Sequence, residues 1–149
     1  MLVGLGFASF AAGQTRPLDV FKWERRVLVM FADHAADPWA FKQRGELLAD
    51  RCGFADRDLL LLEVYGANPV IATGRWLNGE AVDEQPLQRI LNAELRRYYN
   101  FDRGFGLVLV GKDGWEKRRS RLPDDVEQLF AQIDSMPMRR QEIAGDDCS

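Results

Sequence analysis

Apolar residues fall into three uninterrupted runs along this chain. Val27-Leu28-Val29-Met30-Phe31 lies between Arg26 and Asp33. Leu59-Leu60-Leu61-Leu62 continues through Glu63 to Val64-Tyr65. Leu107-Val108-Leu109-Val110 ends at Gly111. Runs without alternation predict strands covered on both faces, as in a sheet flanked by helices. After the first run, Asp37 suits an N-cap and Pro38 a first helical position. The pattern predicts a helix from about Pro38 to Arg51, stopped by Gly53, with Phe41, Leu47 and Leu48 toward the sheet. A second helix is expected from about Pro86 to Tyr99, with Leu87, Ile90, Leu91, Leu95 and Tyr98 along one stripe. Between Gly66 and Gln85 no period holds. Roughly twenty residues is long for a loop in a compact domain, which points to a functional or variable insertion.

The third run leads into Lys112-Asp113-Gly114, a hairpin turn signal. The return strand, Trp115 to Arg121, alternates. Trp115, Lys117, Arg119 and Arg121 are expected on one face, and the Lys and Arg content marks an edge strand. Pro123-Asp124-Asp125 opens a last helix with Val126, Leu129, Phe130 and Ile133 inward, interrupted at Met136-Pro137-Met138. A short lead-in turn precedes the first strand at Leu18–Trp23. The order is βαβαββα. A right-handed crossover makes the first two strands parallel. The expected fold is therefore α/β: a thioredoxin-like three-layer α/β/α sandwich on a mixed four-stranded sheet, spanning 17–144, with 145–149 as a polar tail.

Composition narrows the function. The chain has 149 residues, 46% of them hydrophobic, and carries a net charge of −3. That is a globular composition, and a wholesale nucleic-acid binder would be basic. One His and two Cys are too few for a zinc site of Cys and His, so no metal and no cofactor is expected. Residues 1–13 are uncharged and apolar or small. They resemble the apolar core of a secretory signal without its basic start, so 1–16 read either as a truncated signal peptide or as an N-terminal arm. The stretch is too short to span a bilayer, which takes about 20 apolar residues. A periplasmic or secreted location follows from the first reading. For Cys52 and Cys148 a bridge is open, but two free thiols are the expectation.

In this fold, chemistry sits where the first strand meets the first helix, whose N-terminus stabilises a thiolate. Here that segment reads Phe31-Ala32-Asp33-His34-Ala35-Ala36-Asp37-Pro38-Trp39, with no Cys. No Pro directly precedes the third strand; Arg103-Gly104-Phe105 stands there. Cys52 lies near the far end of the expected helix, roughly 20 Å from its start. His34 reads as an exposed loop residue, with a general-base role beside Asp33 or Asp37 as a minor alternative. The densest functional-looking feature is basic. Lys112, Lys117 and Arg119, with Asp113 in the turn and Arg139-Arg140 further on, form a candidate surface for an anionic ligand. A solvated edge strand with protective charges is the plainer reading of the same residues.

Four strings carry a family resemblance: Trp23-Glu24-Arg25-Arg26; Arg57-Asp58; Gly111-Lys112-Asp113-Gly114 with Lys117; and Ile133-Asp134-Ser135-Met136-Pro137-Met138-Arg139-Arg140-Gln141-Glu142. In these the chain resembles the P-DUDES group, a domain of unknown function whose bacterial members are similar to domains of the animal secreted proteins URB, equarin and SRPUL. The resemblance runs from about Pro17 to Ile143. It implies a thioredoxin-like or peroxiredoxin-like fold and export in many members, and it implies no established reaction. A clasp between the hairpin turn and the broken last helix, with Arg139 or Arg140 pairing with Asp113 or Asp134, is a physical reading of these motifs. The function expected is a non-catalytic binding module for an anionic ligand or a protein partner. The alternative is an atypical thiol oxidoreductase or peroxiredoxin-like enzyme using Cys52.

Overall fold

The computed structural model describes residues 16–74 and 90–143. A 3₁₀ turn at Asp19–Phe21 leads into β1 (Arg26–Ala32), α1 (Pro38–Ala49), α2 (Arg51–Asp56), β2 (Leu59–Tyr65) and β3 (Ile71–Thr73). Then follow α3 (Asn92–Tyr99), β4 (Gly106–Val110), β5 (Glu116–Ser120), α4 (Val126–Asp134) and α5 (Pro137–Ile143). The sheet order is β3-β2-β1-β4-β5. β1 pairs parallel with β2, while β1–β4, β2–β3 and β4–β5 are antiparallel. A βαβ unit joined edge to edge with a ββα unit is the thioredoxin-like plan.

The three apolar runs are the three central strands, and every residue of β1, β2 and β4 is buried. One face packs Leu28, Met30, Leu61 and Leu109 against Leu47, Phe54, Leu129 and Ile133 of α1, α2 and α4. The other packs Val29, Phe31, Leu62 and Val108 against Leu95 and Tyr99 of α3 and against the lead-in Leu18 and Phe21. Burial on both faces explains why these strands lack alternation.

The structure corrects several expectations. The sheet has five strands, because the segment read as patternless contributes the three-residue edge strand β3; residues 75–85 of that segment, and 86–89 at the expected start of the second helix, lie outside the described residues. The first helix ends at Ala49. Asp50 then caps α2, its side chain accepting from the Gly53 N–H at 2.8 Å, so Gly53 sits inside a helix instead of stopping one. Phe41 faces solvent at 71% exposure, and Ala40, Gln43 and Leu47 make the buried stripe of α1. In the second helix the described part is Asn92–Tyr99, where Leu91 and Tyr98 are exposed. The expected interruption at Met136-Pro137-Met138 is present and α5 follows it; the polar tail expected at 145–149 lies outside the described residues. Cys52 is disulfide-bonded, which overturns the expectation of free thiols; Cys148 lies outside the described residues.

The hairpin holds the most consequential correction. Val110 pairs with Glu116 and Leu109 with Arg118, so β5 carries one extra residue, Lys117. Such a bulge ends the simple alternation of side chains. Lys117 turns toward the α4–α5 junction. Arg119 and Arg121 lie instead over the ring of Phe101, at 5.1 and 4.7 Å from its centroid. Lys117 and Arg119 therefore do not share one basic face.

Candidate functional site

The C-terminal end of β1, where a thioredoxin places its thiol, is braced by backbone contacts. Asp37 accepts from the Trp39 and Ala40 N–H groups at 2.9 and 3.1 Å and so caps α1. Asp33 accepts from the Gly104 N–H at 2.8 Å. His34 is exposed. The guanidinium of Arg96, from α3, donates to five backbone carbonyls, those of Ala32, Val64, Gly66, Phe101 and Asp102, at 2.9–3.3 Å. Those carbonyls terminate β1 and β2 and the turns around them, and one planar fork satisfies them together. Among the described residues no peptide bond is cis. Arg96 was missed by sequence reasoning, because an Arg on an amphipathic helix looks the same whether it faces water or strand ends.

Beside this end, Glu63 of β2 is 4% exposed. Arg44 of α1 donates to both the Glu63 carboxylate and the Tyr65 hydroxyl, and Tyr65 donates to Glu63. Burial, with the Glu63 contact, pushes the Tyr65 hydroxyl far above its ordinary value. It stays a neutral donor, and the three groups satisfy one another.

The opposite end of the sheet collects the charged motifs. Arg26, the first residue of β1, is 1% exposed. It donates to the Arg57 carbonyl at 3.0 Å and to both carboxylate oxygens of Glu142 at 2.9 and 3.3 Å. Lys112, 8% exposed, donates to Asp58 at 2.8 Å and to Glu142 at 2.6 Å. Arg139 donates to the Asp56 carboxylate, to the Asp56 carbonyl at 2.8 Å and to Asp134 at 3.0 Å. Arg57 grips Asp134 with Nε and Nη2, at 3.1 and 2.8 Å, and lies over Phe130. Cations and carboxylates thus alternate, and each half of the network comes from a different part of the chain. Burial alone would raise the carboxyl pKa of Glu142, but the hydrogen bonds from Arg26 and Lys112 outweigh it and hold the group below its ordinary value. Asp134 is held low against burial in the same way, by Arg57 and Arg139.

Of the residues singled out in the sequence, Lys112, Asp113, Lys117 and Arg139 come together here. Arg139 pairs with Asp134, as the clasp requires, while Asp113 takes Lys117 at 2.6 Å instead of an Arg. Burial opposes the ionisation of Asp113, yet the Lys117 and Trp115 hydrogen bonds keep its pKa below the ordinary value. Arg140 is exposed, and Arg119 is ion-paired with Glu116 at 2.6 Å; neither joins the cluster. Arg26, Arg57, Asp56 and Asp58 were not proposed as site residues from sequence. The signal lay in charges set directly against the ends of buried strands.

Between the hairpin turn and the α4–α5 junction lies a cavity of about 180 Å³. Gly111, Lys112, Asp113 and Lys117 form one wall and Arg26 contributes from β1. Gln132, Ser135, Met136, Pro137 and Met138 form the other wall. Gly114 closes the turn at φ +82°, a left-handed conformation suited to glycine. A Cβ on Gly111 would come within 2.7 Å of Lys117 Cε, so glycine there lets the Lys117 stem fold back toward Asp113. The Nε of Arg26 is buried and has no hydrogen-bond partner. Cys52 lies in α2, which follows the far end of α1, and does not line this cavity.

Known proteins place this arrangement in context. The chain is 30% identical over 135 residues to the coiled-coil domain-containing protein 80 of Danio rerio, covering 85% of this chain and 16% of that protein. It is 29% identical over 128 residues to the sushi repeat-containing protein SRPX2 of Xenopus laevis, covering 85% of this chain and 26% of the relative. The human SRPX2 is 28% identical over 127 residues, with the same coverage. The chain therefore spans about a quarter or less of the length of these relatives. The mitochondrial 2-Cys peroxiredoxin of Plasmodium falciparum superposes with a TM-score of 0.47 at 15% identity, over 89% of this chain and 86% of that one. No described helix is long and apolar enough to cross a membrane. A family model described as a domain of unknown function, DUF4174, matches residues 17–142, nearly everything from the lead-in turn to Glu142, and the chain belongs to that family.

Proposed function

We propose that this chain is an exported, non-catalytic binding module of thioredoxin-like build, which takes an anionic ligand or an acidic protein segment at the cavity beside the hairpin turn. One contrast carries the reading. The end of the sheet that would hold a thiol is occupied by structural hydrogen bonds, while the motif residues converge on a cavity at the other end. The same motif strings support a finer placement within the P-DUDES group. Export is supported by the apolar residues 1–13 and by the disulfide state of Cys52, since disulfides persist in oxidising compartments. Periplasmic or secreted delivery is part of this proposal.

The test is a fragment screen on the isotope-labelled full chain, read by amide chemical shifts. Hits should move Gly111–Lys117 and Ser135–Met138 together. Hits confined to Asp33–Trp39 would overturn the reading. So would peroxide or disulfide turnover that is lost in Cys52→Ser, because that result would make the protein a thiol enzyme.

A further inference from the structure

We propose that the outer face of α1 is a self-association surface, on which two copies of this chain pair their α1 helices antiparallel about a two-fold axis. The proposal is independent of the cavity, since no residue of this face lines it. Three observations carry it. The first is that α1 is apolar on both sides. Ala40, Gln43 and Leu47 are buried. Yet Pro38, Phe41, Gly45 and Ala49 are exposed, at spacings of three and four, and Phe41 keeps 71% of its surface in solvent. A solvated helix face is ordinarily polar, as on α4, where Glu127 and Gln128 are exposed.

The second observation is Gly45. Its backbone is ordinary helix, with no left-handed φ. A Cβ placed there would meet nothing within 4 Å. A glycine in the middle of a helix costs stability relative to alanine, and no contact inside the domain requires it. Bare Gly45, with Ala49 one turn on, leaves a shallow hollow beside the Phe41 ring. Ring and hollow lie on one face, four residues apart. An isologous contact lets the Phe41 of each copy fill the hollow of the other.

The third observation is the pattern of charge. At about 3.6 residues per turn, Pro38, Gly45 and Ala49 run along the outer midline, with Phe41 on one flank and Lys42 and Glu46 on the other. Lys42 and Glu46 are exposed and pair with each other along the helix. In an antiparallel pair, like flanks meet. The two Phe41 flanks then face each other, and Lys42 lies across from Glu46 of the second copy, twice by symmetry. The step from 41 to 45 equals the step from 42 to 46, so one axis serves both. A parallel pair would set the charged flank against the Phe41 flank. Exposed ion pairs add little affinity; here they fix direction and register. A helix face of 12 residues is small beside the roughly 800 Å² per partner of a standard interface, so the dimer is a reversible one, formed at high concentration.

Sedimentation equilibrium on the full chain, disulfide intact, tests this from micromolar to millimolar concentration. The weight-average mass is expected to rise toward twice that of the chain. Gly45→Arg fills the hollow without a clash inside the chain. It should keep the fold, read by circular dichroism, and leave only monomer. Lys42→Glu and Glu46→Lys put like charges across the axis, and each alone should weaken the dimer at least tenfold. Mixing those two variants sets opposite charges across the axis again and should restore association. A wild-type chain that stays monomeric at millimolar concentration overturns the proposal, also if the face then binds phospholipid vesicles instead. So does a dimer that survives Gly45→Arg, or a mixture of the two charge variants that stays monomeric.

Discussion

The two ends of the β1–β2 pair have been put to opposite uses. At the C-terminal ends, Arg96 ties backbone carbonyls together, with Asn92 of its own helix as its one side-chain acceptor, and Asp33 and Asp37 are spent on N–H groups. At the N-terminal ends, cations face carboxylates, and a buried donor of Arg26 is left over beside a cavity. A group spent on strand-end carbonyls and on its own helix is a brace. Around Arg26 the charges are matched pair by pair, and Lys112, Asp113, Lys117 and Met136 line the cavity beside them. The difference teaches that the two ends of one strand pair can be held by different means, backbone carbonyls at one and ion pairs at the other.

This contrast can be broken by substitution. Arg139→Ala should have the largest effect, about 3–5 kcal/mol of stability, because it leaves Asp56 and Asp134 short of a partner that is itself buried. Urea unfolding monitored by tryptophan fluorescence measures it. Arg96→Ala should cost about 2–3 kcal/mol by stranding carbonyls at the strand ends, with no loss of cavity ligand binding. Equal losses of stability and binding would dissolve the distinction between brace and site.

Acid sharpens the comparison. Glu142, Asp134 and Asp113 have folded pKa values below their ordinary ones, so their stabilisation is present above the unfolded values. Stability should fall as pH drops through about 4.5 and below, since the unfolded chain then takes up protons that the folded chain resists. Glu142→Gln should flatten that slope as well as lower the plateau. The smallest effect belongs to His34→Ala. An exposed loop side chain should change stability by less than about 0.5 kcal/mol. A loss well beyond that in His34→Ala would mean the braced end does more than hold strands.

The fold was legible where burial left a pattern. Continuous apolar runs marked β1, β2 and β4, and Asp37-Pro38 marked the start of α1, since the cap and the fixed proline φ act locally. What hid was decided by tertiary contacts. β3 is three residues long and half-exposed, so it has no period to read. The α1–α2 break depends on Asp50 turning back to cap Gly53, in a stretch whose composition looks helical throughout. The motifs around Lys112 and Arg139 were visible as strings, and so were Arg26 and Asp58, but nothing in the strings says which charge pairs with which, and Asp56 lies outside them. Ion pairing across more than eighty residues of chain, as between Asp56 and Arg139, leaves no mark in local sequence.

The bulge at Lys117 has a wider consequence. Between Val110 and Leu109 the return strand holds one residue more than its partner needs. Remove it and the ladder becomes regular, with Arg118, Arg119 and Ser120 still opposite Leu109, Val108 and Leu107. The hollow would lose its lysine, while the ring of Phe101 would keep its two guanidinium covers. A single inserted residue thus puts a lysine into the hollow beside the turn.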